Sequence, residues 1–366
     1  MSLRMVLLIS QRDTGGAQTA LNRLRHELLR RGHAVELWFL YDRSGTAPDA
    51  LAGDILLDRP APGALGYLRI MAMLAARLRR VRPDCVVSFL PLANVLGQSL
   101  ALLAGIHSRI ASQRNPQHTY DPLLRGLDWV VGSLGVYTAI VVNSASVADA
   151  CAHYPRAYRQ RLRVVYNGAV PDQQRRTDPA AARAALGLPA DAFLLGNPGR
   201  LHPQKNQAVL VAALAALPCP VHLAIAGDGP LAAPLREQAD SLGVTARLHL
   251  LGRVPPDVMP TFFRAVDLVC MPSVYEGHSN ALLEAMAAGV PVLTSNIASF
   301  RETLAQSAGP MLEATDTAGW AAAIAHLQHA PEQRAALAER GRQRVAAFTV
   351  EAMADGFLAA VERSPV

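Results

Sequence analysis

The chain predicts an α/β protein made of two doubly wound parallel sheets facing each other, and three observations carry that expectation. Short apolar, β-rich runs alternate with helical patterns along the whole sequence, as successive βα units do in a parallel sheet. At 366 residues the chain exceeds what one core normally organises, which points to two domains of about 150–200 residues each. Its composition is 51% hydrophobic and 17% charged, with 25 Pro and 26 Gly dispersed as punctuation, so disorder and fibrous architecture are excluded.

The apolar run at residues 5–10 lacks a small-residue cleavage site and leads straight into Gly15-Gly16, so it reads as a first strand rather than a secretory signal. Further strands are expected at 34–40, 85–90, 108–111 and 139–143. Residues 86–106 hold no charge over 21 positions, which is long enough to cross a bilayer. Pro91, Asn94, Gln98 and Ser99 interrupt that stretch, and a buried strand followed by a core helix at 92–104 is the better reading. Tyr166-Asn167-Gly168 combines a strand end with turn residues and is followed by a polar linker at 172–178, which sets domains of 1–168 and 169–366. In the second domain, strands are expected at 192–196, 221–226, 248–251, 268–271 and 290–294, with helices at 208–216, 231–241, 260–265 and 281–288. A helical tail runs beyond residue 334, and 348–362 has the length to pack back across both domains. Ligands of such sheets bind outside the carboxyl ends of the strands, so the interdomain cleft is the expected site.

Of the 35 Lys and Arg residues only one is a lysine, Lys205. Arginine favours planar bidentate partners, whereas lysine is a compact point charge on a flexible stem, which suits phosphate. Residues 1–170 carry 20 Arg against 11 Asp and Glu. Two amphipathic segments, 20–31 and 67–82, hold much of that charge. The second sets Arg69, Arg77, Arg79, Arg80 and Arg82 beside Leu68, Ile70, Met71, Met73, Leu74 and Leu78. Such a face suits an anionic membrane surface and, equally, a solvated helix face. No aromatic-interleaved basic stripe accompanies the charge, which argues against nucleic acid. Cys85, Cys151, Cys219 and Cys270 are far apart and show no metal-ligand spacing, as expected of reduced, buried thiols in a cytoplasmic protein.

Chemistry concentrates in two segments. In residues 271–292 a strand, a Gly-containing loop, Asn280 as N-cap, a short helix, Gly289 as its stop and Pro291 beyond form one locally consistent unit. The backbone N–H groups of Asn280, Ala281 and Leu282 at such a helix start are a ready site for a diphosphate. Glu284, one turn in, is placed to accept from a ribose diol, and Glu276 reaches another part of the ligand. In residues 198–206, Arg200 and Lys205 supply cations close together.

Together these segments resemble the retaining glycosyltransferases of the GT-B fold, specifically glycosyltransferase family 4. Glu276 and Glu284 match the family's E-x7-E signature, and Asn197 to Lys205 is similar to its Gly-Arg-Leu-x3-Lys-Asn segment. Gly15-Gly16-Ala17-Gln18, Asn143-Ser144 and Ala226-Gly227-Asp228-Gly229-Pro230-Leu231 complete the pattern in order. The resemblance implies two facing Rossmann-like domains, an N-terminal one for the acceptor and a C-terminal one for a nucleotide sugar. It further implies that Arg200, Lys205 and Gly199 meet the diphosphate, with Gly15 and Gly16 approaching from the other domain. Glu284 would hold the ribose, and Glu276 with His278, Ser279 and Asn280 the donor sugar. The base would lie near Arg253 and Val254. Either His118 or Arg114 would stand near the reacting sugar.

Retention by front-face displacement is implied, with the departing phosphate taking the acceptor proton. No D-x-D motif occurs, so neither metal nor cofactor is expected, and Arg200 and Lys205 act in the metal's place. Alanine at either is expected to lower kcat about 100-fold or more and leave stability within about 1 kcal/mol. The expected donor is a UDP-sugar rather than a GDP-sugar. The expected acceptor is a saccharide or polyprenyl-linked glycan of bacterial surface polysaccharide or lipopolysaccharide, met at the inner face of the cytoplasmic membrane. The chain departs from the family pattern at His278 and Ser279, where a hydrophobic residue and Pro are frequent; a role in donor choice and a solvated loop histidine are equal readings. A nicotinamide-dependent oxidoreductase would need a G-x-G-x-x-G turn, which the first strand lacks. A phosphorylase with a Schiff-base cofactor would need Lys205 as its anchor. A non-catalytic nucleotide-sugar-binding protein is opposed by the joint presence of Arg200, Lys205, Glu276 and Glu284.

Overall fold

A computed structural model describes residues 2–13, 15–42, 52–58, 63–170, 178–218, 220–307 and 309–362. The linker expected at 172–178 lies outside the described residues except for Asp178, as does Cys219. Two compact units result. The first ends at Gly168 and takes in the segment from Val350, and the second is Ala169–Thr349.

The first unit carries strands β1 (Arg4–Arg12), β2 (Ala34–Asp42), β3 (Asp54–Ile55), β4 (Cys85–Phe89), β5 (Ser108–Gln113), β6 (Ala139–Val142) and β7 (Leu162–Val164). They form one parallel sheet in the order β3-β2-β1-β4-β5-β6-β7. Its helices are α1 (Gly16–Arg30), α2 (Ala64–Val81), α3 (Gln98–Leu103), α4 (Pro122–Ser133), α5 (Ala145–Asp149) and α6 (Arg156–Arg159). From Met5 to Ile9, β1 is fully buried, as a central strand covered on both faces must be. Leu21, Leu24 and Leu28 of α1 fill one face; Ile70, Leu74 and Leu78 of α2 with Ala101 of α3 fill the other.

The second unit repeats the design with β8 (Phe193–Pro198), β9 (Val221–Ala226), β10 (Leu248–Leu250), β11 (Leu268–Met271), β12 (Val292–Ser295) and β13 (Met311–Leu312), ordered β10-β9-β8-β11-β12-β13 and all parallel. Its helices are α7 (Pro179–Ala185), α8 (Gln207–Ala216), α9 (Ala232–Ser241), α10 (Met259–Ala265), α11 (Asn280–Ala288), α12 (Ala298–Leu304), α13 (Thr317–Gln328) and α14 (Pro331–Val345). The closing helix α15 (Val350–Glu362) belongs to the first unit, where Met353, Ala354, Phe357 and Ala360 join the core of β1, β4 and β5.

Several local expectations are refined. The uncharged stretch 86–106 becomes β4, a π-helical turn at Ala93–Gly97 and α3, and no helix among the described residues is long and apolar enough to cross a membrane. Asn94 and Gln98, which interrupt it, are fully buried and bind β5: Asn94 Nδ2 donates to Ser112 O at 3.2 Å and Gln98 Nε2 to Ile110 O at 2.7 Å. In α2 the side chains separate. Ile70, Leu74 and Leu78 enter the core, and Arg77 pairs with Asp54 while lying 4.4 Å from the Trp38 ring centroid. Arg77 is thereby withdrawn from the cationic face that the sequence suggested. The strands β3, β7 and β13 are only 2 to 3 residues long, too short for a periodic pattern to reveal. Cys85, Cys151 and Cys270 are buried free thiols, and burial pushes those of Cys85 and Cys151 up to about 12, which makes them poor nucleophiles at neutral pH.

Phe357 stacks on Phe89 with ring centroids 6.0 Å apart and is fully buried, so Phe357→Ala should cost about 3–5 kcal/mol in denaturant unfolding of the full chain. A second test concerns His222 on β9 and His249 on β10, whose ring nitrogens meet at 3.0 Å. Burial holds both imidazoles below their ordinary value, with Arg247 adding to the effect on His222 and His222 to that on His249. The unfolded chain therefore binds more protons below about pH 6.5, and the pair's contribution is complete above that pH and declines as pH falls. Gln at both positions should flatten the loss of unfolding free energy between about pH 7 and pH 5.

Candidate functional site

In the second unit the strand order reverses between β8 and β11, and the loops leaving their carboxyl ends form the crevice where such sheets bind ligands. After β8 the chain passes through Gly199 (φ +154°) and the exposed Arg200 into a single turn at Pro203–Lys205, then through left-handed Asn206 into α8. After β9 it passes through Gly227, Asp228 and Gly229. These two loops are in backbone contact, Gly199 N donating to Ala226 O at 3.0 Å and Leu201 N to Asp228 O at 2.8 Å. A Cβ on Gly227 would stand 2.0 Å from Gly199 O, so only glycine permits this approach. Gly252, after β10, bridges Gly227 and places the half-buried Arg253 and Val254 beside the same turn.

The loop after β11 joins them through one ion pair. Lys205 Nζ lies 2.5 Å from Glu276 Oε1, and the Glu276 side chain is only 8% exposed. Ser273 Oγ donates to the same carboxylate oxygen at 2.9 Å, Gln204 Nε2 donates to Tyr275 O at 3.0 Å, and Val274 N donates to Gln204 O at 2.8 Å. Behind this, Asn197 Nδ2 reaches Cys270 O at 2.7 Å and Gln207 Nε2 reaches Arg200 O at 2.9 Å. Ser273, Gln204, Gln207 and Asn197 were not singled out from sequence. Their polar character at buried positions was the available signal, but their partners exist only once β8 and β11 are neighbours.

The helix of this block begins at Asn280, so Ser279 rather than Asn280 occupies the cap position, and no side chain caps the helix. The N–H groups of Asn280, Ala281 and Leu282 therefore face a site without a built-in acceptor from a capping residue. Glu284 lies in the following turn, half-buried. Gly289 ends the helix in the left-handed conformation, φ +71°. His278 is 3% exposed and meets Phe348 edge-on, with ring centroids 4.9 Å apart. It is a packed residue, which corrects the solvated-loop alternative.

In the first unit Gly15 is extended and Gly16 opens α1 at the carboxyl end of β1. Arg114 and His118 differ sharply. Arg114 is buried, lies 5.6 Å from the Phe89 ring centroid and donates through Nη2 to Asn167 Oδ1; burial lowers its pKa to about 10, and no carboxylate pairs with it among the described residues. His118 sits exposed on the turn Gln117–Thr119. Arg114 thus serves the packing of the Asn167 segment, whereas His118 stands at the surface.

Residues 178–344 match the family model described as glycosyl transferases group 1, and residues 14–173 match that of glycosyltransferase family 4. Among curated proteins, the D-inositol 3-phosphate glycosyltransferase of Corynebacterium urealyticum is 34% identical over 229 residues, covering 58% of this chain and 53% of that protein. The enzyme of the same name from Mycolicibacterium paratuberculosis is 35% identical over 236 residues, covering 62% and 52%. The chain spans about half the length of these curated relatives. Among solved structures, Anabaena HepE in complex with UDP and glucose superposes with a TM-score of 0.83 at 19% identity, covering 98% of this chain and 99% of that one. WaaG, a glycosyltransferase involved in lipopolysaccharide biosynthesis, gives 0.75 at 19% identity over 99% and 100%.

Gly227→Ala tests the loop geometry: forcing a methyl against the Gly199 carbonyl should cost about 1–3 kcal/mol in thermal or denaturant unfolding. The same substitution at Gly187, which a Cβ would leave without contacts within 4 Å although its φ is +65°, should cost about 1 kcal/mol from backbone strain alone.

Proposed function

Because the chain belongs to glycosyltransferase family 4 and has the GT-B fold, we propose that it transfers a sugar from a UDP-sugar to an acceptor hydroxyl with retention of configuration. The observation that carries this reading is the Lys205–Glu276 pair at the β8/β11 switch point, next to an uncapped helix N-terminus. The diphosphate binds the first-turn N–H groups of α11 together with Arg200 and Lys205, and Glu284 accepts from the ribose diol. When the diphosphate arrives, Lys205 exchanges a carboxylate partner for a phosphate one. The Glu276 oxygens are then free to accept from hydroxyls of the donor sugar, assisted by Ser279 and Asn280.

As the bond between the sugar's anomeric carbon and the β-phosphate oxygen breaks, negative charge grows on the leaving diphosphate. Arg200, Lys205 and the helix N–H groups offset that charge. The acceptor hydroxyl attacks the same face of the sugar, and its proton passes to the departing phosphate oxygen. Of the two first-unit candidates that the family resemblance offers for the reacting sugar, His118 is the exposed one. Cations of the chain carry the stabilisation, with no step assigned to a metal.

A UDP-linked donor is favoured by the structural likeness to HepE, a protein seen with UDP and with UDP-glucose. A polyprenyl-linked or saccharide acceptor in bacterial surface-polysaccharide or lipopolysaccharide assembly fits the basic first unit, acting peripherally on the cytoplasmic face of a membrane. A second reading is favoured by the names of the curated relatives: D-inositol 3-phosphate or a similar small phosphorylated polyol as acceptor. Incubating the chain with UDP-sugars and each acceptor class, and following UDP release, separates the two.

UDP or a UDP-sugar should raise the melting temperature in a panel of nucleotide diphosphates, since a ligand of the native state stabilises it. Failure of every nucleotide diphosphate to do so would overturn the reading. Arg200→Ala and Lys205→Ala should each lower kcat about 100-fold or more. Their stabilities should differ, contrary to the sequence-based expectation. Arg200 is exposed, and its loss should change unfolding by about 0.5 kcal/mol or less. Loss of Lys205 strands the buried Glu276 carboxylate and should cost about 2–4 kcal/mol.

A further inference from the structure

Helix α4 buries its one carboxylate and exposes its apolar residues. Its sequence runs Pro-Leu-Leu-Arg-Gly-Leu-Asp-Trp-Val-Val-Gly-Ser, and Asp128 is 0% exposed. Outward lie Leu123 at 71%, Leu127 at 41%, Trp129 at 42% and Val130 at 41% exposure, followed by Leu134 at 78%. Residues 123, 127, 130 and 134 recur at the spacing of one helical face, so they form a continuous stripe rather than scattered exposures.

The orientation is locked from the inside. Asp128 accepts hydrogen bonds from Gln113 Nε2 at 2.8 Å, from Tyr137 Oη at 2.9 Å and from Tyr158 Oη at 2.8 Å. Gly132 lies so close to Tyr158 that a Cβ there would come within 2.4 Å of the ring. Turning α4 to hide its leucines would strip a buried carboxylate of three donors, a larger loss than the leucines recover.

Basic groups lie on this helix and on its neighbour. Arg125 lies on α4 itself. The neighbouring α6, joined to α4 through Tyr158 and Asp128, carries the exposed Arg156 and Arg159. Asp121, the acid at the helix start, is engaged by the N–H groups of Leu123 and Leu124 as a cap. An apolar stripe, with a half-exposed indole on the adjoining flank and guanidinium groups nearby, is complementary to an anionic bilayer surface. Leucines and tryptophan enter the boundary between headgroups and acyl chains there, and arginines meet lipid phosphates.

We propose that α4 is the element through which the first unit docks on an anionic membrane surface. The purpose of such docking rests on the lipid-linked acceptor reading, but vesicle binding requires neither donor nor acceptor and is tested separately. The basic helix α2 supplies long-range attraction through Arg79, Arg80 and Arg82, whereas α4 supplies the inserted apolar surface.

The test is co-sedimentation of the full chain with vesicles of equimolar phosphatidylglycerol and phosphatidylcholine. Of the three tryptophans, Trp38 and Trp320 are fully buried, so a blue shift of fluorescence on vesicle addition reports Trp129. Leu123→Gln, Leu127→Gln and Leu134→Gln together should lower vesicle partitioning about 100-fold and abolish the blue shift. Circular dichroism and the UDP-induced thermal shift should be retained. Arg79→Glu, Arg80→Glu and Arg82→Glu together should weaken binding mainly at low salt and leave the blue shift present at saturating lipid. Vesicle binding by the leucine variant equal to that of the unmodified chain would overturn the proposal, as would no binding by the unmodified chain. A dimer that the leucine variant dissociates, with no vesicle binding by either, would assign the stripe to a second copy instead. Loss of the UDP shift alone would count against the proposed activity and not against the docking surface.

Discussion

The ion pair between Lys205 and Glu276 is the constraint around which the second unit's site is organised. It joins the loop after β8 to the loop after β11, two segments about 70 residues apart that become neighbours only because the sheet reverses its order between those strands. A pair so shielded from water has surrendered most of the hydration of both charges, and its geometry must recover that cost. Ser273 and Gln204 help, the first by donating to the carboxylate and the second by tying its own loop to the backbone at Tyr275. The arrangement holds a cation and a carboxylate together between the loops that lead into α8 and α11.

Backbone proximity is the second requirement. The Gly199, Gly227 and Gly252 segments are drawn together at the carboxyl ends of β8, β9 and β10, and the glycine at 227 is needed because a carbonyl occupies the place of its side chain. The first unit shows a related economy with different means. Asn94, Gln98 and Asp128 are polar groups inside the core, each hydrogen-bonded to specific partners that help fix the rotation of the helix that bears it. Asp128 does so at a visible cost, since the helix it anchors is left with leucines in water.

Much of this was legible in the sequence. The strands at 221–226 and 268–271 and the helix stop at Gly289 followed from apolar runs bounded by turn residues, because those signals are local and strong. The single lysine and the Glu276/Glu284 spacing marked the two segments that meet. Other features resisted. The two-residue strands are held by their neighbours rather than by their own pattern, and the cap of α11 fell on Ser279 because the loop before it, not cap propensity, sets where helical geometry begins. His278 is a loop residue, but it is packed rather than solvated because Phe348, distant in sequence, stands against it.

Taken alone, the order of residues determined the alternation of strands and helices, the two parallel sheets and the two segments bearing charge, because backbone periodicity and turn chemistry act over a few residues. Tertiary structure alone decided which charges pair, which apolar residues stay outside and which unit holds the last helix. Arg77 was absorbed by Asp54, Arg114 by Asn167, and α15 by the core of β1, β4 and β5. Each of these outcomes depends on a partner far away in the chain, and burial, ion pairing and close backbone approach are properties of two segments at once.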